Sequence, residues 1–562
     1  MCVVATLACS AAAFGAIYPW AYMPLVAASA ILGMVGLIWG RGPVPWPLMA
    51  SLALVALAVS LQLIPLNEST LASISPRALE IHRQRDLAAA VGRAASFPLS
   101  IDPRQTRLAL MFFAAFALLL AGTARMLTAQ SARRVAASLA VVGVALAMVG
   151  LVQRATFNGR IYGFWELAQG GSPFGPFINR NHFAGWMLMV VPLTVGYFAF
   201  IVSRGMAGVR PHWRSRVLWF ASTNANKALL AAFAVMTMAL ALVVTLSRSG
   251  ITAFVGAMAF ASVVLLTRRS GPARVGRTLV AAYLTLVSII VVSWVGVDRI
   301  AARFTVPRSI GVEGRLGIWA DTWRMVDDFP LTGTGLNTFG SAALFYQQSL
   351  KGSHMREAHN DYLQLAAEGG ALLVVPILLS AALLIAGIRR RFRDDVGSML
   401  WIRVGAMTGL LAIAAQSLVE FSLQMPANAA LFAVLCGIAL HDGGRVATQP
   451  LPKAAALDVV EPRPPAPDAS EKVVTFSRAQ RPLDFSFDEP SVRAADPPRQ
   501  FDPSDLPDAQ DRERAVSRLD VRRPRPAARS VRAPAPARRV VGLVAILSLI
   551  LLLFIILGVL GS

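Results

Sequence analysis

The chain has 562 residues, 56% of them apolar and only 15% charged, with a formal net charge of +22. A soluble core of this size cannot hide so much apolar surface, whereas spans of about 20 uncharged residues absorb it in a bilayer, so an ordinary soluble domain is excluded. A basic excess can mark a nucleic-acid binder, but membrane proteins gather Lys and Arg in cytoplasmic loops, so the placement of the charges decides. The three cysteines, Cys2, Cys9 and Cys436, all fall in apolar runs. They offer neither a disulfide framework nor a Cys metal site.

Apolar runs between charges predict spans near 3–17, 21–39, 47–65, 108–124, 135–153, 183–202, 228–246, 250–267, 278–297, 369–388, 399–419 and 426–441. That makes an all-α polytopic membrane protein of about twelve transmembrane helices, with a thirteenth apolar run near 540–560. No charge precedes Arg41, so the first run lacks the positive region of a signal peptide and is expected to be retained. With the N-terminus in the cytoplasm, every short inward connection is basic, as in Arg133–Arg134, Arg268–Arg269 and Arg389–Arg390–Arg391. The outward connections are either very short, after the first, seventh and eleventh spans, or long, at 66–107, 154–182 and 298–368. The charge excess is thereby explained by topology, and no nucleic-acid partner is expected.

Residues 1–441 form the expected membrane domain. From about 442 to 538 the chain changes to runs such as Pro-Arg-Pro-Pro-Ala-Pro and Arg-Arg-Pro-Arg-Pro-Ala-Ala-Arg. Such a segment cannot bury enough apolar surface to offset the entropy of ordering, so 442–538 is expected to be a disordered cytoplasmic tail of unknown partner, and 539–562 a terminal transmembrane helix.

Polar residues concentrate in the loop 298–368. From Glu313 to Pro330, Arg315, Trp319, Thr322 and Trp323 recur at helical spacing, which predicts an amphipathic helix on the outer surface ending at Phe329–Pro330. The two tryptophans suit headgroup anchors, and a guanidinium at the helix entry, Arg315, suits a phosphate. Gly333-Thr-Gly-Leu-Asn337 predicts a tight turn rather than a phosphate cradle. Asn360 to Glu368 is helical in pattern and Gly369–Gly370 punctuates it. His359 is therefore expected at or just before a helix N-terminus at the membrane surface, where a neutral imidazole can serve as a base.

Several of these segments together resemble the O-antigen ligase family: Gly-Arg-Leu-Gly-Ile-Trp at 314–319, Phe-Pro-Leu-Thr-Gly-Thr-Gly-Leu-Asn-Thr-Phe at 329–339, and His-Asn-Asp-Tyr-Leu-Gln at 359–364 with Glu368–Gly369. Gly-Pro-Phe-Ile-Asn-Arg-Asn-His-Phe-Ala at 175–184 and Thr-Leu-Ser-Arg-Ser-Gly at 245–250 agree with it, whereas the tail lies outside it. The resemblance implies a glycosyltransferase of the bacterial inner membrane with its active site facing the periplasm. It would move a glycan from an undecaprenyl-diphosphate carrier to a lipid A–core sugar; sister polymerases use another carrier-linked repeat unit, and related proteins glycosylate protein. The motifs match Arg248, Arg315 and His359 to the family's essential residues. Arg180, Asn181 and His182 match a recurring segment, and with Asn360 they are candidates for binding substrate.

The residue types suit that reaction. A sugar hydroxyl needs a base within hydrogen-bond reach, and a leaving diphosphate needs fixed cations in a water-poor site. His359 supplies the first and Arg315, Arg248 and Arg180 the second. No spaced Asp-x-Asp or His/Asp cluster stands in an outward loop, so neither a metal nor another cofactor is implied. The competing class is a polytopic transporter or flippase, which would place charges or Gly/Pro breaks near mid-span in matching halves. Most spans here are clean.

Overall fold

The computed structural model describes residues 1–92, 94, 96–167, 171–206, 214, 219, 221–267, 312–349, 354–395 and 397–442. The expected span at 278–297, the tail and the terminal helix lie outside the described residues.

Helix α1 (Cys2–Ala12) is shorter than the expected first span, because the chain turns through three positive φ angles at Phe14, Gly15 and Ala16 before α2 (Pro19–Trp39). The turn wraps the Phe177 ring so closely that a Cβ on Gly15 would stand 2.9 Å from it. After α3 (Trp46–Leu61), the first long connection folds into strand β1 (Pro65–Leu66), helices α4 (Glu68–Ile74), α5 (Pro76–Arg85) and α6 (Leu87–Ala90), and strand β2 (Phe97–Pro98) antiparallel to β1. Asn67 caps α4 by accepting from the Thr70 amide, and proline at the first turn opens α5.

Helix α7 (Pro103–Met126) is followed after a two-residue link by α8 (Ala129–Thr156), which opens on a capping box between Thr128 and Ser131. A small ribbon, β3 (Arg160–Ile161) with β4 (Trp165–Glu166), precedes α9 (Arg180–Met206), α10 (Thr223–Val244) and α11 (Arg248–Thr267). Then come α12 (Val312–Asp328), α13 (Phe339–Tyr346), α14 (Asp361–Asp394), α15 (Leu400–Gln416) and α16 (Pro426–Leu440). Among the described residues, six helices are long and apolar enough to cross a membrane: α2, α7, α8, α9, α14 and, from Ala225, α10; five more apolar helices are shorter.

The bundle is built around α9, which is the most completely buried of the six. Between apolar helices in lipid, close approach of small residues replaces hydrophobic exclusion as the source of affinity. Gly33 and Gly36 on α2 meet the backbone of α7 at Leu118 and Gly122, and Gly196 on α9 meets Trp401 and Gly405 on α15. A Cβ on Gly33, Gly36 or Gly196 would come within 2.6 Å of partner backbone.

A second core caps one end of this bundle. Leu71, Leu79 and Ile81 from the first long connection pack with Ile318, Met325, Phe329, Phe339 and Tyr346 from the loop before α14, so the two longest described connections fold as one cap. Trp319 packs against this core and donates its indole N–H to the Ala358 carbonyl at 3.0 Å, which corrects its expected role as a headgroup anchor; Trp323 stays 57% exposed.

Candidate active site

The site lies where the cap meets the bundle. Its first fixed point is the start of α14, where the Asn360 side chain accepts from the amides of Tyr362 and Leu363. The Asp361 amide donates to Ser417 O at 2.9 Å and the Tyr362 hydroxyl to Ala414 O at 2.9 Å, so this helix start is docked on the C-terminal end of α15. His359, immediately before the cap, holds φ at 52°, a left-handed conformation that costs a non-glycine residue free energy and recurs at functional sites. The expectation of an imidazole just outside a helix N-terminus is met.

The second fixed point is the Gly333–Asn337 turn. A Cβ on Gly333 would lie 2.1 Å from Glu368 O, and one on Gly370, at φ 54° and ψ −165°, would lie 2.5 Å from the Gly333 amide. The buried Glu368 carboxylate accepts from the amides of Asn337 and Phe339 at 2.7 and 2.9 Å. Those amides are consumed inside the protein, and the segment is a structural turn. Gly370 also interrupts α14, so its first turns belong to the cap and its remainder to the bundle.

The centre is Glu420, 1% exposed, on the connection between α15 and α16. Its Oε1 accepts from Arg315 Nη2 at 2.5 Å and from Asn181 Nδ2 at 2.7 Å. Its Oε2 faces His359 Nδ1 at 3.5 Å, an ion-pair distance longer than a good hydrogen bond. The connection is held by Gln416 and Ser422, both donating to Asn181 O at 3.2 Å, and by Asn428 donating to His182 O at 3.0 Å. The Phe421 ring stands edge-on to both imidazoles, with centroids 4.6 Å from His182 and 4.9 Å from His359. Burial pushes the Glu420 carboxyl up, but His359 and Arg315 outweigh it and hold the group below its ordinary range, as an anion. Burial also pushes nearby Glu357 up, to about 8, against the hydrogen bond that Gln364 donates to it.

Three of the sequence-predicted residues, Arg315, His359 and Asn181, thus meet on one carboxylate. His182 is buried, and its Nε2 has no hydrogen-bond partner among the described residues. Asn360 is placed as a helix cap. Arg180 and Arg248, both half-buried, open α9 and α11, and the first turn of α11 packs on α9 closely enough that a Cβ on Gly250 would meet Ala184 at 2.8 Å. Glu420 itself escaped the motif reading. Its signal is in the sequence: it is the one acidic residue between Asp395 and Asp442, in an otherwise apolar stretch, where an ionisable group marks function by default.

The fold and this site define a membrane-embedded helical protein with a capped His–carboxylate–Arg centre at one end. Residues 233–378 match the family model described as O-antigen ligase, about a quarter of the chain. An O-antigen ligase, or a related polymerase of that superfamily, is the class of membrane glycosyltransferase that this similarity supports. Arg248, Arg315, the glycine turn and His359 lie within the match, whereas Arg180, Asn181, His182 and Glu420 lie outside it. None of the curated proteins compared with the chain matches it.

Proposed function

We propose that the protein transfers a glycan from an undecaprenyl-diphosphate carrier to a sugar of lipid A–core at the periplasmic face of the bacterial inner membrane. The observation that carries this is the convergence of His359 and Arg315, from two separate segments of the cap, on Glu420 in the bundle. With Nδ1 turned to the carboxylate, the imidazole presents Nε2 to the acceptor. The acceptor hydroxyl gives its proton to Nε2 as its oxygen bonds to the anomeric carbon; the carbon–oxygen bond to the diphosphate breaks and its electron pair leaves with the phosphate. Arg315, Arg248 and Arg180 offset the charge that grows on the leaving group. Direct attack of this kind inverts the anomeric configuration.

The test is a deletion strain analysed by lipopolysaccharide gel and by carrier-lipid composition. Loss of long-chain lipopolysaccharide with accumulation of carrier-linked polymer is the expected result. Accumulated single repeat units would make the protein a polymerase, and loss of protein glycosylation with unchanged glycolipids would make it a protein O-oligosaccharyltransferase. Unchanged glycans with altered distribution of a lipid between leaflets would make it a transporter.

A further inference from the structure

Glu420 meets Arg315, Asn181 and His359, and it meets each of them by one edge only. Arg315 is engaged through Nη2, while its Nε is buried and has no hydrogen-bond partner among the described residues. A guanidinium held this way keeps further N–H groups for a phosphate oxygen. His359 faces Glu420 Oε2 with Nδ1 at 3.5 Å, and both atoms are buried with no hydrogen-bond partner among the described residues, so each has only the other to turn to. Asn181 steadies the shared oxygen from α9, so the carboxylate is fixed from the bundle while its two main partners come from the cap.

We infer that Glu420 is the positioning residue of the proposed reaction: it fixes the imidazole of His359 as the tautomer protonated on Nδ1 and sets Arg315 with free N–H edges toward the donor. The inference rests on the glycosyl-transfer mechanism proposed above for its kinetic consequence, but not for its structural content. The carboxylate accepts only, so the ring nitrogen facing it must carry the hydrogen, and Nε2 keeps the lone pair that receives the acceptor's proton. Once that proton arrives, the imidazolium stands beside a buried anion. Glu420 itself neither gains nor loses a proton.

The discriminating variant is Glu420→Gln. Its amide oxygen can still accept from Arg315 and Asn181, so the anchor and the packing are kept. Its NH₂ then points at His359 Nδ1 and forces the ring hydrogen onto Nε2, where the proton must be received. The same loss follows when an aspartate orienting a protease histidine is replaced by asparagine.

The structural arm uses protein labelled with ¹⁵N-histidine in lipid nanodiscs without substrate, with the His359 signal among six histidines assigned by its loss in His359→Ala. Wild type is expected to show the Nδ1-protonated neutral ring and Glu420→Gln the Nε2-protonated one. An Nε2-protonated ring in wild type, or no change in the variant, overturns the inference. The kinetic arm uses carrier-linked donor extracted from the deletion strain. Glu420→Gln is expected to lower kcat by roughly 10²–10⁴-fold with donor KM little changed, and Glu420→Ala to impair both. Equal loss of kcat and donor affinity in the Gln variant, with the melting temperature unchanged, would reduce Glu420 to an anchor for Arg315 and overturn the tautomer role. If wild type does not turn over the donor, the proposed function fails while the tautomer measurement still decides the inference.

Discussion

At the scale of single residues, the proposed roles separate kinetically. His359→Ala removes the proposed proton acceptor and should lower turnover by roughly 10²–10⁴-fold while leaving donor binding largely intact. Near-normal turnover would remove His359 from the chemistry. Arg315 and Arg248 are proposed to meet a diphosphate whose charge is present before reaction and grows during it, so Arg→Ala should weaken both donor binding and turnover. Arg315→Lys should recover little, because an ammonium keeps the charge and loses the planar fork that can serve Glu420 and a phosphate together. Unchanged donor affinity in Arg248→Lys would make that residue a structural one. Glu357 gives a pH prediction. Its folded value is raised, so the folded state holds a proton that the unfolded state gives up, and this group's effect on stability worsens as pH rises from about 4.5 toward 8. Melting temperature should therefore fall across that window, and Glu357→Gln should flatten the fall.

At the scale of elements, the site depends on how the Gly333 turn seats against the break in α14. Gly370 occupies a backbone region that almost only glycine adopts, and a Cβ there would stand 2.5 Å from the Gly333 amide. Gly370→Ala should cost roughly 1–3 kcal/mol from conformation alone. The cap should loosen before the bundle does, seen as faster amide exchange in 312–368 together with reduced turnover. Undiminished protection there would mean that the cap is held by its hydrophobic core without the turn. Sequence showed the turn and the punctuation at Gly369–Gly370, because glycine clusters are local signals. It did not show that the two glycines face each other, since that contact joins segments that only the folded chain brings together.

At the scale of the whole molecule, topology and the tail are open to direct test. A reporter active only in the periplasm should be active when fused within 300–360 and inactive within 450–530. Inactivity at the first site would put the His359 end in the wrong compartment. A truncation removing 445–562 should keep appreciable activity once inserted, since the described site lies wholly before that point. Complete loss would make the tail part of the working enzyme. Turnover should also continue in excess chelator. The outward loops offer no Asp-x-Asp pair, and Glu420 already answers Arg315 and Asn181. Inhibition reversed by magnesium or manganese would show that the arginines do not hold the diphosphate alone.

By itself, sequence determined what depends on composition and short-range order. The apolar runs within the described residues became helices, the Arg315 segment a helix ending at Asp328, and His359 the residue before a helix cap, because each follows from neighbours within a few turns. Motif spacing pointed to the cap segments as the seat of function. Tertiary structure alone decided what those segments face. The cap's core joins residues 71–101 to residues 318–367, and Glu420 is bound by residues 181, 315 and 359. A buried carboxylate is stable only where cations and donors surround it, and these arrive from parts of the chain more than 60 residues away. Nothing local to Glu420 names its partners, so only the folded chain identifies it as the centre of the site.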